Sequence, residues 1–283
     1  MRQEETMKKS VFFFVGVMTL LFSTCVEETV PSKITIDTMS EKKSYGEKIA
    51  ISPLDDSVTI TRGKITLAPH EENVTYTISG YFAGQIVSTT KNTIIKLNNA
   101  YLENMAGRPV IRCSAKTEIS TAKNSTNYIV SRGRSFSKIG AIQTKRALVL
   151  GGSGTLYVKG SICHGIEAED VKLKGTGIFY IEGTRRGSAL TCESLSVEKE
   201  KSFAAYFLNA KNGIKADDTI SIQSGNFHLY NNGTAFKTDL AKQSSDKSHA
   251  VSLTGGTFYL YKNASLYETD AFVNEAKIEE LSN

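Results

Sequence analysis

The fold of this chain is decided by four stretches: AIQTKRALVLGGSGTLYV from Ala141, GIEAEDVKLKGTGIFYI from Gly165, ALTCESLSVEKEKSFAAY from Ala189 and GIKADDTISIQSGNFHLY from Gly213. Their first large apolar residues are Ile142, Ile166, Leu190 and Ile214, so the motif returns every 24 residues. A fifth copy begins at Phe236, a step of 22, and ends as AVSLTGGTFYLY after a polar insertion over 240–249. Apolar and polar residues alternate within each copy, which is typical of half-buried strands.

Each copy accommodates three short strands, and one copy alone cannot bury its inward side chains. Stacking the copies about 4.8 Å apart pairs each strand with the next copy and aligns like residues in interior columns. The sequence therefore predicts an all-β chain, a right-handed parallel β-helix with about 24 residues and three short strands per coil. We assign residues 41–270 to this domain, and we expect residues 271–283 to form a short helix or a frayed end that caps the last coil.

The N-terminal residues have the character of an export signal. From Met7 the sequence reads MKKSVFFFVGVMTLLFSTC, a basic start followed by an apolar stretch that is shorter than the roughly 20 residues of a membrane span. Phe22-Ser23-Thr24-Cys25 is similar to a lipoprotein box, although Phe22 and Thr24 depart from the usual pattern. We expect residues 1–25 to be a leader, Cys25 to be lipidated and residues 26–40 to be a tether. The alternative is simple secretion.

Repeat register accounts for two motifs that otherwise suggest chemistry. Cys113 and Cys192 fall in a column of small residues, two positions after the first-strand anchor, so we expect both to be buried and structural. The segment GGSGT from Gly151 lacks the Lys-Ser/Thr and the helix of a phosphate loop. It recurs at the same place in other copies, which predicts a turn. The four histidines are scattered and form no metal-binding or triad pattern.

Outward positions of the third strand carry aromatic residues that a polysaccharide could contact. We predict that they form a strip on which sugar rings stack by apolar contact, although cross-strand pairing alone also favours such residues. The predicted carbohydrate-binding residues are Tyr157, Tyr180, His228, Tyr230, Tyr259 and Tyr261.

Charged residues supply two further candidate features. Acidic residues recur after the first strand, and stacking would bring Glu167, Glu169, Asp170, Asp217 and Asp218 together as oxygen ligands for Ca²⁺, or leave them as solvated turn acids. Basic residues crowd a stretch without acids, which predicts either a contact with an anionic partner or a solvated loop. These are Arg132, Arg134, Lys138, Lys145 and Arg146.

Several fragments in order carry a resemblance: YTISGYFAGQIV, NTIIKLNNAYLENMAGRPVIRC, LVLGGSGTLYV, HGIEAED and NGIKADDTISIQSGNFHLY. Together they resemble the β-helical carbohydrate-binding domain of bacterial surface proteins. The resemblance implies a pectate-lyase-like fold, binding of acidic polysaccharides such as polygalacturonate, and calcium at acidic turns. His164, Ser188 and Asn212 replace the family's usual Asp before the Gly-Ile pair, whereas Asp170, Asp217 and Asp218 match its downstream acids.

The sequence thus favours a non-catalytic protein that binds a polysaccharide at the bacterial cell envelope, and we expect this polysaccharide to be acidic. One alternative is a polysaccharide lyase in which calcium acidifies a proton and Arg185 or Arg186 removes it. The other alternative is a structural surface protein or adhesin with protein ligands. A formal net charge of +5 is mild, and we expect no nucleic-acid partner. The oligomeric state and the glycan stay open.

Overall fold

The computed structural model describes residues 48–89, 91–133, 138–199, 202–239 and 250–281, and all regular structure in them is β-strand. The predicted leader, the tether, Cys25 and Arg134 lie outside these residues. Two antiparallel pairings open the fold: β1 (Ile49–Ser52) lies against β4 (Val74–Ala83), and β2 (Val58–Thr61) forms a hairpin with β3 (Lys64–Leu67). The described residues include no helix that could cross a membrane.

All later pairings are parallel and form three ladders. The first ladder comprises β3, β5 (Gln85–Ser88), β7 (Ile111–Cys113), β10 (Gly140–Thr144), β13 (His164–Glu167), the first parts of β16 (Ser188–Val197) and β18 (Asn212–Ile222), β20 (Thr234–Thr238) and β23 (Ser265–Glu268). The second comprises the first parts of β4 and β6 (Thr93–Asn104), β8 (Thr117–Thr121), β11 (Leu148–Gly152), β14 (Asp170–Leu173), the second parts of β16 and β18, β21 (Ala250–Leu253) and β24 (Ala271–Asn274).

The third ladder comprises the second parts of β4 and β6, β9 (Thr126–Ser131), β12 (Thr155–Gly160), β15 (Ile178–Glu182), β17 (Ala204–Leu208), β19 (Asn226–Tyr230), β22 (Thr257–Tyr261) and β25 (Lys277–Glu280). The chain visits the ladders in turn and then returns to the first, so the result is a solenoid-like, mostly parallel β fold.

The register of the pairs follows the sequence repeat. Ile142 pairs with Ile166, Ile166 with Leu190, Leu190 with Ile214, and Ile214 with Phe236. These side chains are fully buried, as are their second-ladder counterparts Val171 and Ile220. Like side chains therefore meet in interior columns, and burial of these columns is the main force that holds the stack together.

The small interior column is also confirmed. Cys113 pairs with Thr144, Cys192 pairs with Ala216, and both cysteines are buried and free. Burial raises the pKa of Cys113 to about 11 and raises the pKa of Cys192 further still. Both thiols stay protonated and unreactive at neutral pH.

One copy departs from the expected third strand, where Phe203 to Phe207 fit the pattern loosely. Ala205, not Phe203, pairs with Phe179 and Phe227. Phe203 precedes β17 and packs its buried ring 5.9 Å from the Phe179 ring and 5.6 Å from the Phe227 ring. The ring of Phe203 fills the space that the small Ala205 leaves in the column.

The glycine segment is a turn, as its recurrence predicts. Gly152, Gly175, Gly225 and Gly256 have φ values of 102°, 90°, 94° and 87° between the second and third ladders. Side chains with a Cβ rarely adopt this conformation. A Cβ on Gly175 would also lie 2.3 Å from the carbonyl oxygen of Gly152 in the preceding copy.

The C-terminal residues differ from the expectation of a short helix or frayed end. Ala271–Asn274 and Lys277–Glu280 are strands, paired with β21 and β22. The strand pattern in the sequence is weak there because no described strand stacks on the outer side of these two, and Phe272 and Ile278 are only partly buried. The tail therefore extends the second and third ladders.

Candidate functional site

The outward side of the third ladder carries a continuous column of rings, which we call the aromatic ladder: Tyr101, Tyr128, Tyr157, Tyr180, Tyr206, His228 and Tyr259. Ring centroids from Tyr128 to Tyr259 lie between 4.1 and 4.7 Å apart with interplanar angles of 8° to 17°. Strand pairing places each ring one ladder step from the next. Four of the six predicted carbohydrate-binding residues thus share one column.

This geometry changes what the column can offer to a sugar. Tyr180 stacks on Tyr157 at 4.6 Å on one side and on Tyr206 at 4.5 Å on the other. Both of its ring faces are therefore covered by protein, and the same holds for Tyr128, Tyr157, Tyr206 and His228, whereas Tyr259 at the end of the column stacks, among the described residues, on His228 alone. A sugar that packs on an aromatic residue needs an open ring face. From Tyr157 to Tyr259 the aromatic ladder consequently presents mainly ring edges and polar groups in place of the flat strip that the sequence predicted, while Tyr101 and Tyr128 are buried.

Tyr230 and Tyr261 lie apart from the aromatic ladder. They stack on each other with centroids 4.7 Å apart, and their exposed fractions are only 4% and 7%. Their column is shared with Glu182 and Leu208, which are also buried. The structure places these two tyrosines in a packed pair, not in a surface strip.

A groove of about 480 Å³ lies along the outward side of the first ladder, over β13, β16, β18 and β20. Its lining comes from the strands themselves and from the turns that precede them. The side chains that matter for a ligand are Lys138, His164, Glu167, Glu169, Arg186, Ser188, Glu193, Lys211, Asn212, Lys215, Asp217 and Lys237. We refer to this feature as the groove.

The edge of the groove at the strand beginnings is basic. Lys138, Arg186 and Lys211 lie there on successive turns, and all three are exposed. None of them forms an ion pair with a carboxylate in the described part of the chain. Three positive charges are therefore left to interact with an anion from outside.

Neutral hydrogen-bonding groups lie beside these cations. The Nδ1 atom of His164 accepts a hydrogen bond from the backbone N–H of Ser188 at 3.0 Å, and Asn212 Nδ2 donates to Ser188 Oγ at 3.1 Å. Burial, together with the ammonium groups of Lys138 and Lys215, lowers the pKa of His164 to about 4. His164 is thus neutral at physiological pH, and because Nδ1 is an acceptor, its proton resides on Nε2 as a donor.

The opposite edge, at the strand ends, is acidic. The loss of solvation and the carboxylates of Asp218 and Glu169 raise the pKa of Glu193. Lys215 Nζ contacts Asp217 at 2.6 Å and Asp239 at 3.0 Å. Burial lowers the pKa of Lys215, but the hydrogen bonds that its ammonium donates to these two carboxylates outweigh this effect, and the net shift of the pKa is upward.

The predicted calcium ligands do not fit together as one site. No group of three or more His, Cys, Asp or Glu among the described residues is arranged to hold a metal ion. The Lys215 ammonium occupies the place between Asp217 and Asp239, Arg146 lies 3.7 Å from Glu169, and Glu167 accepts a hydrogen bond from Gln143. Protein cations and an amide already use these oxygen atoms.

The basic residues of the stretch from Arg132 to Arg146 do not act as one group in the structure. Arg132 Nε lies 3.3 Å from Glu103 Oε2, and Arg146 lies near Glu169, so both charges are balanced within the protein. Lys138 instead lines the groove. The groove as a whole was missed by sequence reasoning. The sequence feature that could have indicated the groove was the series of polar residues His164, Ser188 and Asn212 at the start of successive first-ladder strands. Arg186 and Lys211 lie in the turns beside them.

A family model described as carbohydrate-binding domain-containing protein matches residues 55–182 and again residues 168–279. The two matches together cover well over half of the chain. The chain belongs to this carbohydrate-binding family. Residues 48–54, which include all of β1, precede the matched region, while the groove and the aromatic ladder lie within it.

A solved structure shows the same fold. It is titled the polysaccharide lyase-like protein from C. thermocellum, a gadolinium derivative, and matches with a TM-score of 0.52 at 16% sequence identity, over 81% of this chain and 90% of that chain. At this identity the likeness concerns the fold alone. No curated protein matches the sequence significantly.

Proposed function

We propose that this protein is a non-catalytic binder of an acidic polysaccharide at the bacterial cell envelope, and that the groove is its contact surface. The observation that carries this proposal is the basic edge, where Lys138, Arg186 and Lys211 have no carboxylate partner among the described residues. Membership of the carbohydrate-binding family supports a glycan as the ligand.

The chemistry of the groove suits a uronic acid. A carboxylate gains charge-assisted hydrogen bonds from Arg186 and Lys211, and the planar guanidinium can bind both of its oxygens. The Nε2–H of His164, which is only partly buried, then donates to a sugar hydroxyl, while Ser188 and Asn212 hold the His164 ring from within the protein. The aromatic ladder contributes hydroxyl groups at a second surface, where we expect weaker contacts.

The protonation and the hydrogen bonds of the groove side chains and of Arg185 support binding without catalysis. A lyase requires a base that can take a proton from the carbon beside the carboxylate. His164 uses Nδ1 as an acceptor and carries its proton on Nε2, and Arg185 Nη2 donates to Asn231 Oδ1 at 2.9 Å. Arg186 is a strong cation rather than a base at physiological pH.

The handedness and coil length of the fold, and the export of the protein, are part of the same proposal. The solenoid is a right-handed parallel β-helix with about 24 residues per coil, supported by the spacing of the paired isoleucines. Export and lipidation at Cys25 rest on the leader sequence, and a shift of the protein to the soluble fraction in a Cys25→Ala variant would test them. The family resemblance implied calcium, whereas we propose that binding does not depend on it, and a chelator tests this.

The deciding experiment is affinity electrophoresis on polygalacturonate and on a neutral galactan, with and without chelator. We expect retardation by polygalacturonate alone and no effect of the chelator. The double variant Arg186→Gln and Lys211→Gln should weaken binding about tenfold, whereas Lys116→Gln with Lys123→Gln, two exposed cations outside the groove, should not. Equal binding of both variants, or retardation by the neutral galactan alone, would refute the proposal.

A further inference from the structure

A second cavity, of about 340 Å³, lies near the N-terminal end of the first ladder, where the turns before β3, β5 and β7 meet. We call it the N-terminal cavity. Its lining includes Arg62, Lys64, Gln85, Asn104, Met105 and Arg108. It is separate from the groove in its residues, although both border the same ladder.

The N-terminal cavity is lined by three cations and by no carboxylate. Arg62, Lys64 and Arg108 are all exposed and form no ion pair with the described residues. Elsewhere on the first ladder, Lys215 and Lys237 are each paired with acids from their own or the next copy. Unbalanced positive charge around one concave surface favours an anion that comes from outside the protein.

Hydrogen bonds fix the turn that carries Arg108. Gln85 Nε2 donates to the Pro109 carbonyl at 2.9 Å, and Asn104 Nδ2 donates to the same carbonyl at 3.2 Å. Asn104 Oδ1 accepts from the backbone N–H of Ala106 at 2.9 Å, and the Asn104 side chain is buried. The backbone beside Arg108 is thereby held in place before any ligand arrives, which reduces the entropic cost of binding.

We propose that the N-terminal cavity is a second site for an anionic group, a carboxylate or a sulfate, of the polysaccharide that occupies the groove. The inference rests on the proposed function for the nature of the ligand. Met105, with 61% of its surface exposed, adds an apolar contact for the sugar ring beside the anionic group.

The ladder fixes the distance between the two sites. From β5, at the N-terminal cavity, the first ladder proceeds through β7, β10 and β13 to β16, at the groove. These four steps of about 4.8 Å separate Gln85 in the N-terminal cavity from Ser188 in the groove by roughly 19 Å, and Lys138, which precedes β10, lies between them at the near edge of the groove. A long chain that runs along the ladder reaches both sites, whereas a short oligosaccharide occupies one at a time. Long chains should therefore bind more tightly than the separate sites do.

Calorimetric titration of the full-length chain with trigalacturonate and with dodecagalacturonate tests the proposal. We expect two trimers per protein and one dodecamer bound more tightly. The cavity variant Arg62→Gln, Lys64→Gln and Arg108→Gln should bind one trimer and weaken dodecamer binding about tenfold. The matched control is Lys116→Gln, Lys123→Gln and Lys199→Gln, exposed cations that line neither site. Parallel titrations with sulfated galactan oligosaccharides distinguish the two anionic groups.

Each outcome is decisive. If the cavity variant binds the dodecamer like the unmodified protein while Arg186→Gln with Lys211→Gln weakens it, the second site is overturned and the proposed function stands. If the control loses as much affinity as the cavity variant, only general surface charge matters and the second site is overturned. If the cavity variant alone loses affinity, the cavity is supported and the groove is not the binding site. Absence of any binding overturns both.

Discussion

The aromatic ladder and the groove lie on outward sides of the same stack, at the same ladder spacing, and they use that spacing in opposite ways. In the aromatic ladder each ring covers the faces of its neighbours, as Tyr180 does between Tyr157 and Tyr206. In the groove, charged side chains of unlike type follow each other, and Arg186 and Lys211 have no carboxylate partner among the residues that the structure describes. A column of one residue type therefore uses its own side chains as packing partners, whereas a column of varied residues leaves charged groups that a ligand can contact.

Each region holds one histidine, and the two rings sharpen this contrast. His228 lies between Tyr206 at 4.1 Å and Tyr259 at 4.6 Å, and burial lowers its pKa to about 4. The pKa of His164 is also lowered to about 4, where burial is assisted by Lys138 and Lys215. Packing keeps His228 neutral, whereas His164 depends in part on neighbouring charges.

The largest expected effect comes from an interruption of the aromatic ladder. Tyr180→Ala removes a half-buried ring that stacks on both sides and should lower the free energy of unfolding by about 2 kcal/mol, with little change in glycan affinity. Denaturant unfolding and affinity electrophoresis measure the two quantities. Tyr180→Phe, which retains the ring, should behave like the unmodified protein. A large loss of affinity with unchanged stability would assign the aromatic ladder to ligand binding.

Acid should weaken the fold through both histidines. Between pH 6.5 and about 4 the unfolded chain binds protons that the folded imidazoles of His164 and His228 do not, so stability falls as the pH falls through this window. Because both rings are partly exposed to solvent, we expect on the order of 1 kcal/mol from each. His228→Tyr continues the column and should reduce the acid sensitivity by about that amount. Unfolding at pH 7 and at pH 4.5 measures it, and an unchanged pH dependence would contradict the expectation.

A smaller effect separates the two histidines. Lys138→Gln removes one of the charges that hold His164 neutral, so the pKa of His164 should rise while that of His228 stays constant. Proton NMR titration of the two imidazole rings gives both values in one experiment. Equal shifts of the two rings would mean that Lys138 acts through the fold and not through its charge.

The smallest effect is expected for Lys215→Gln. Its carboxylate partners Asp217 and Asp239 have side chains that are 56% and 53% exposed, so loss of these ion pairs should cost no more than about 1 kcal/mol. Thermal unfolding measures this loss beside Tyr180→Ala. A larger loss for Lys215→Gln than for Tyr180→Ala would show that charge, and not ring stacking, holds these copies together.

Much of the fold could be predicted because the repeat places chemically alike residues at equal intervals. The pairing of Ile142 with Ile166 and the burial of Cys192 follow directly from that interval. The strands at Ala271–Asn274 and Lys277–Glu280 could not be predicted, since within the described residues they pair with a neighbouring strand on one side and carry a weaker apolar pattern. The packing of Phe203 could not be predicted either, because its ring lies in the space beside Ala205 while Ala205 itself holds the paired position in the strand.

By itself the sequence determined the ladders, the glycine turns and the column of outward rings, because each depends on periodic spacing along the chain. The tertiary structure alone decided which outward surface remains available to a ligand. Stacking covers the ring faces of the aromatic ladder and buries Tyr230 and Tyr261. It also brings Lys138, Arg186 and Lys211 to one edge of the groove. Side chains that lie far apart in sequence meet only when consecutive copies pair, and that pairing determines which charges are balanced and which are not.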